Sequence, residues 1–264
     1  MLTPLTRAKS ICAVAVVAAI ALGVSGCSPA PAAQRRITTS GSITVDAASS
    51  LTGTFKEIAA DYQKLHPGAK IVLNYGASSA LAASIVSGAP VDLFASASPA
   101  TMKTVTDASL VQGTPTPFVS NTLEIAVPPG NPGKIKGLAD FGNVSKKIAI
   151  CAPEVPCGAA AVTVFGLTNI TPKPDTLAPD VTTALTQVST GEVDAALVYH
   201  TDVLAAGTAV VGITFPEAQR AINTYSIAPL VSSRNPKLAA SFQRFILSAK
   251  GTNILRRAGF TVVD

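Results

Sequence analysis

Between Ile43 and Leu65 the chain changes its hydrophobic period once. Ile43 and Val45 alternate with Thr44 in β-favouring residues, the period of a half-buried strand. Leu51, Phe55, Ile58, Ala59, Tyr62 and Leu65 then recur at helical spacing, one apolar face of a helix. Ala47, Ala48 and Ser49 make the turn between them, and Ser50 is the expected N-cap. A strand that passes through small residues into a helix start gathers unpaired N–H groups and the positive end of a helix dipole at one place. Such a place suits an anion.

The device recurs. Ile71–Tyr75 reads as a strand, Gly76–Ser79 as a turn, and Leu81, Ala82, Ile85 and Val86 as a helix face stopped by Gly88. Val91–Ala95 is a third expected strand, with Pro99 in the first turn of a third helix. Asp92 is read as a structural hydrogen-bonding acid. A βαβαβα order predicts a parallel sheet with right-handed crossovers and a ligand at the carboxyl ends of its strands. Two prolines in Thr114–Pro117 interrupt the pattern. Thr122–Val127 and Ile148–Cys151 are expected strands of a second unit, followed by a loop and a helix over Ala159–Phe165. Thr176–Val181 is expected to open another helix, with Asp180 as N-cap, running to Val188. Ala195–Tyr199 and Val210–Phe215 are strands. Asn223–Pro229 is the strand on which the chain returns to its first unit, ahead of helices over Lys237–Leu247 and through Leu255.

Composition changes the picture at the amino end. Arg7 and Lys9 precede Ile11–Val24, an uncharged apolar run shorter than the roughly 20 residues of a spanning helix. Residues 1–26 read as a signal peptide. Val24-Ser25-Gly26-Cys27 resembles the bacterial lipobox, which implies cleavage before Cys27 and lipidation of that residue. The Pro-, Ala-, Ser- and Thr-rich residues 27–42 form a tether. Cleavage would lower the formal charge of +5 by two units, because Arg7 and Lys9 leave and no acid does. The small excess, without tryptophan and with 5% aromatic residues, argues against nucleic acid. Of four cysteines, Cys151 and Cys157 remain for an oxidising compartment. They form a local disulfide only if the intervening A-P-E-V-P bends suitably, which sequence leaves open. With His66 and His200 as the only histidines, a protein-bound metal is not expected.

Five positions at element ends offer uncharged donors: Ser50, Ser78, Cys157, Val181 and Tyr199. None has a lysine or arginine within two positions. Charge-assisted hydrogen bonds from dipoles and hydroxyls suffice to hold an oxyanion, and they penalise neutral or cationic ligands that leave the donors unpaired.

Six segments in this order carry a family likeness: A-A-S-S-L-T (47–52), Y-G-A-S-S-A-L-A (75–82), G-A-P-V-D-L-F-A-S-A (88–97), V-P-C-G (155–158), G-E-V-D-A-A-L-V-Y-H-T-D (191–202) and A-G-F-T (258–261). Together they resemble the molybdate-binding proteins of ABC uptake transporters over essentially the whole chain from about Ile43. The resemblance implies an α/β, two-lobed type II periplasmic-binding-protein fold with the ligand cleft between lobes. Residues 43–121 plus 224–264 would form one lobe and 122–223 the other, with crossings near Ser120–Thr122 and Asn223–Tyr225. It implies hydroxyl and backbone donors from Ser50 and Ser78, backbone N–H donors from Cys157 and Val181, and the hydroxyl of Tyr199. Molybdenum would enter only inside its oxyanion, with no protein atom on the metal and no cofactor. Tungstate is expected as a second ligand. The implied partners are a membrane permease and its cytoplasmic ATPase, served by a monomer anchored outside the cell membrane through Cys27. Cys157 stands where the family usually has alanine. Asp46 is a second departure, and strand alternation predicts that it faces outward or along a lobe edge.

Three other readings compete, of which a non-transport surface lipoprotein acting through its partners would not need two serine-capped turns converging on one cleft. A hydrolase would use Ser78, yet Gly76-Ala77-Ser78-Ser79-Ala80 lacks the second glycine of a nucleophile elbow, and its base would have to be His66 or His200. A sulfate- or phosphate-type receptor would keep the same donors. Protonated phosphate needs an acceptor in the site that these donors do not offer.

Overall fold

The computed structural model describes residues 40–263. The signal peptide, the lipidation site Cys27 and most of the tether lie outside the described residues. In chain order the elements are β1 (Gly41–Ala48), α1 (Thr52–Leu65), β2 (Ala69–Gly76), α2 (Ser78–Val86), β3 (Leu93–Ser96), α3 (Pro99–Asp107) and β4 (Thr116–Asn121). They continue with β5 (Leu123–Val127), β6 (Ile148–Cys151), α4 (Pro156–Thr168), β7 (Thr176–Ala178), α5 (Val181–Ser189), β8 (Ala195–Tyr199), α6 (His200–Ala206) and β9 (Val211–Ile213). The chain ends with β10 (Asn223–Pro229), α7 (Pro236–Ile246), α8 (Ala249–Arg257) and β11 (Thr261–Val262). Gly41 and Ser42, placed in the tether by composition, are already strand, paired with Ala69 and Lys70.

Two sheets result. The first has the order β11-β4-β10-β3-β1-β2 and the second β7-β6-β8-β5-β9. In the first, β2, β1 and β3 run parallel, as the βαβ order requires, while β10 and β11 pair antiparallel to their neighbours. In the second, β7, β6 and β8 are parallel and β5 is antiparallel to β8 and β9. The chain leaves the first sheet between Asn121 and Leu123 and returns at Asn223.

Each sheet buries both faces. Leu93 packs with Phe55, Ile58, Tyr62 and Phe242 on one side of the first sheet. Its neighbour Phe94 packs with Leu81, Ile85, Met102 and Leu230 on the other. That is the alternation of a strand in the middle of a sheet. Burial of Phe55 and Ile58, both inaccessible, stabilises α1 against the sheet by about 1.5–3 kcal/mol each. Ile58→Ala alone would cost about 2–5 kcal/mol through lost contacts and a cavity. The second sheet has its own core, built on Ile125, Val127, Val164, Phe165 and Leu197.

Two local expectations change. Thr176–Ala178 is a strand paired with β6, not the opening of a helix; its brevity and the surrounding prolines hide the strand period. Asp46 is 2% exposed rather than outward-facing, because β1 lies between β2 and β3 and both its faces are covered. Asn74 Nδ2 donates to its carboxylate at 3.1 Å, and burial raises its pKa against that bond. Asp92 has the structural role expected, accepting from the N–H groups of Thr44 and Arg234 and from Ser233 Oγ.

Candidate functional site

The carboxyl ends of β1, β2, β6, β7 and β8 converge on one small, nearly closed cleft. All five expected residues, Ser50, Ser78, Cys157, Val181 and Tyr199, line it, joined by Ala48, Ser49, Ala97, Pro156 and Asp180. Neither Lys nor Arg belongs to the lining.

Ser50 reaches the cleft differently from expected. It is not the N-cap of α1, because Ser49–Leu51 form a 3-10 turn and the residue preceding α1 is Leu51. The Ser50 hydroxyl meets Tyr225 Oη at 2.9 Å instead. Sequence analysis missed Tyr225, which lies 175 positions away on β10. Ser78 is the first residue of α2, and its Oγ accepts the Ala97 N–H at 2.9 Å. The oxygen is occupied by a protein donor, so the hydroxyl hydrogen is left to donate into the cleft.

On the other side, Pro156 opens α4 and Cys157 follows in its first turn. Proline has no N–H, so the Cys157 and Gly158 N–H groups are the first of this helix without an intrahelical acceptor. Cys151 and Cys157 are joined by a disulfide, with Cα atoms 5.7 Å apart, so the end of β6 is stapled to the start of α4. Gly158 explains the tightness of this loop. A Cβ there would meet the Ala152 carbonyl oxygen at 1.8 Å. Asp180 caps α5 as expected, accepting the Thr183 N–H at 2.9 Å, which leaves Val181 in the first turn.

Tyr199 closes the set. It is 1% exposed, and its hydroxyl makes no well-formed hydrogen bond among the described residues, although the Tyr225 hydroxyl stands close enough to interact with it. A buried hydroxyl without a partner costs about 1–3 kcal/mol, so this one is placed for a ligand that accepts. Burial, together with the neighbouring Tyr225 and Asp202, pushes the Tyr199 pKa well up. Burial raises that of Tyr225 as well. Both hydroxyls therefore stay protonated as donors. Below Tyr199, Asp202 Oδ2 accepts the Tyr199 N–H at 3.0 Å, and burial pushes this carboxyl up to about 7.

The two histidines stand elsewhere. The ring of His66 packs on Tyr62 at 4.3 Å, and His200 Nδ1 lies 2.6 Å from Glu124 Oε2. Neither lines the cleft, so Ser78 has no imidazole beside it. A roomier groove of about 450 Å³ opens where the chain passes between sheets, lined by Glu124, His200, Phe215 and Gln219. Its buried carboxylate makes it a poor oxyanion site. Asp46 does not line the small cleft and does not oppose an anion there by contact.

A donor-lined cleft without Lys or Arg, between two α/β lobes, agrees with what comparison shows. A family model described as bacterial extracellular solute-binding protein matches residues 43–261. The molybdate-binding protein ModA of Mycobacterium tuberculosis is 39% identical over 219 residues, 83% of this chain and 84% of that one. ModA of Escherichia coli is 31% identical over 84% of this chain and 90% of its own length. The solved periplasmic molybdate-binding protein of Azotobacter vinelandii superposes with a TM-score of 0.73 over 84% of this chain and 100% of that one; its 21% identity speaks for the fold alone. The chain belongs to the family of bacterial extracellular solute-binding proteins.

Proposed function

We propose that this protein binds molybdate, and tungstate with it, outside the cytoplasm and delivers the oxyanion to an ABC importer. The observation that carries the proposal is the cleft itself: donors from both lobes, no cation, and a buried tyrosine hydroxyl lacking an acceptor. Ser50 and Ser78 would donate from the first lobe. The Cys157 and Val181 N–H groups and the Tyr199 hydroxyl would donate from the second. An anion held by both sets favours closure of the lobes over it, because only the closed form offers all five donors. The site binds without bond-making, so no residue needs a nucleophilic or basic role. Cleavage before Cys27 and lipid on that residue would hold a monomer at the outer face of the cell membrane, beside the permease and its cytoplasmic ATPase.

Thermal melts of the purified protein with molybdate, tungstate, sulfate or phosphate test the reading. A ligand at 100 times its dissociation constant adds about 2.7 kcal/mol, worth about 5–11 °C for a chain of this size. A rise with molybdate and tungstate alone is expected. A rise with sulfate or phosphate instead would change the cargo, and no rise with any would refute the oxyanion reading.

A further inference from the structure

The two passages of chain between the sheets carry a matched pair of asparagines. Asn121 ends β4 and Asn223 begins β10, and the two stand opposite one another in the antiparallel register. Both are buried, at 4% and 6% exposure. Each side chain touches both lobes.

Asn121 Nδ2 donates to Thr201 Oγ1 at 2.7 Å, in the first turn of α6 and two positions beyond Tyr199. The same amide lies 3.5 Å from Tyr225 Oη, which meets Ser50 Oγ at 2.9 Å. With the Tyr225 oxygen accepting from Asn121, its hydrogen goes to Ser50, and the Ser50 hydrogen is left for the cleft. Asn223 Nδ2 donates to the Ala97 carbonyl at 3.1 Å in the first lobe and to the Pro156 carbonyl at 3.4 Å in the second. Ala97 is the residue whose N–H holds Ser78, and Pro156 immediately precedes Cys157. The Asn223 Oδ1 is buried and has no partner among the described residues. That orphan carbonyl is costly, and the strand it begins does not require it.

Resting on the molybdate reading above, we infer that Asn121 and Asn223 form a clasp that exists only when the lobes are closed, and that it sets how long the oxyanion is retained. Both are positioning residues: neither lines the cleft, yet each is one hydrogen-bonded group removed from a cleft serine. Bonds present in the closed state and absent in the open one add to the closing equilibrium, and therefore to apparent affinity. They act on escape, because the encounter takes place with the open form. Asn is required at 223 because its amide gives two hydrogens to two carbonyls, whereas a carboxylate offers none and repels both.

The test is stopped-flow kinetics of molybdate binding, with the ligand-free melting temperature of each variant. Asn223→Ala loses two neutral bonds and is expected to raise the dissociation rate about 10-fold while leaving the association rate within about twofold. Asn223→Asp is expected to exceed it. Thr201→Val removes the far end of the Asn121 bond without touching the cleft, and is expected to raise dissociation about threefold to tenfold. This conservative variant keeps the idea testable if Asn223→Ala folds poorly. Unchanged dissociation rates in variants that bind molybdate would overturn the clasp alone, even if they melt earlier. A wild-type protein on which molybdate is inert would overturn the ligand reading and the clasp with it.

Discussion

Replacing Tyr199 by Phe separates structural from ligand-holding roles by moving two measurements in opposite directions. The Tyr199 ring is fully enclosed and packs edge-on against Tyr225, with centroids 6.2 Å apart at 63°. Phe keeps that packing and removes only an oxygen. In the protein alone, the oxygen is buried and makes no well-formed hydrogen bond, with only the Tyr225 hydroxyl nearby, a burden of at most about 1–3 kcal/mol. Its removal should raise the ligand-free melting temperature by about 2–4 °C for each kcal/mol recovered. With molybdate, the same change deletes a hydrogen bond to a charged acceptor, worth about 1.5–3 kcal/mol. Affinity should fall about 10- to 150-fold at 1.36 kcal/mol per decade. Calorimetric melting and isothermal titration on the same samples read both. A lower melting point with unchanged affinity would mean that the hydroxyl serves the fold, and the site assignment would fail.

Three further substitutions probe the same cleft. Ser78→Ala should weaken binding by about 1.5–3 kcal/mol and, unlike Tyr199→Phe, also lower ligand-free stability by about 1–3 kcal/mol, because the buried Ala97 N–H loses its acceptor; urea titration with and without molybdate shows both. Cys151→Ser with Cys157→Ser opens a loop of sequence separation 6, for which chain entropy gives a loss of about 2 kcal/mol of unfolding free energy, read by urea denaturation; equal stability of the oxidised and double-serine proteins would deny the staple its role. Asp202 has a pKa raised by burial to about 7, above the ordinary 3.8. Its contribution to stability is therefore full below pH 4 and is lost as pH rises through 7. Asp202→Asn, which keeps an acceptor for the Tyr199 N–H, should flatten that loss, which is on the order of 3 kcal/mol at most between pH 5 and pH 8, read from urea unfolding at the two pH values. An identical pH slope in both proteins would contradict the assignment.

Much of this architecture was legible because short-range signals agreed with the fold. Ile148–Cys151, Ala195–Tyr199 and Asn223–Pro229 read directly as strands, since each is a compact apolar or β-favouring run between breakers. Asp180 read as a cap because its carboxylate serves its own helix. Two of the misreadings share a cause: partners distant in sequence. Ser50 looked like a cap, and only the fold brings it to Tyr225. Asp46 looked outward because alternation presumes a sheet with one wet face, whereas β1 lies in the interior of its sheet. The asparagines at 121 and 223 gave no signal, since their roles depend on two lobes meeting. That Ser50, Ser78, Cys157, Val181 and Tyr199 would share one cleft was legible through the joint order of six short segments, none of which is diagnostic alone.

On the oxyanion reading proposed above, the absence of lysine and arginine from the cleft lining governs how cargo leaves. A cationic site would attract many anions from a distance, and its hold would weaken as salt rises. Oriented dipoles act at contact, so this cleft discriminates late, once the lobes have begun to shut. Its competitor at unloading is solvent. When the lobes part, water satisfies the serine, tyrosine and backbone donors as well as the anion did, and no ion pair has to be torn apart. A permease that levers the lobes open therefore needs no counter-charge of its own at the cleft; wetting the pocket is enough to free the cargo.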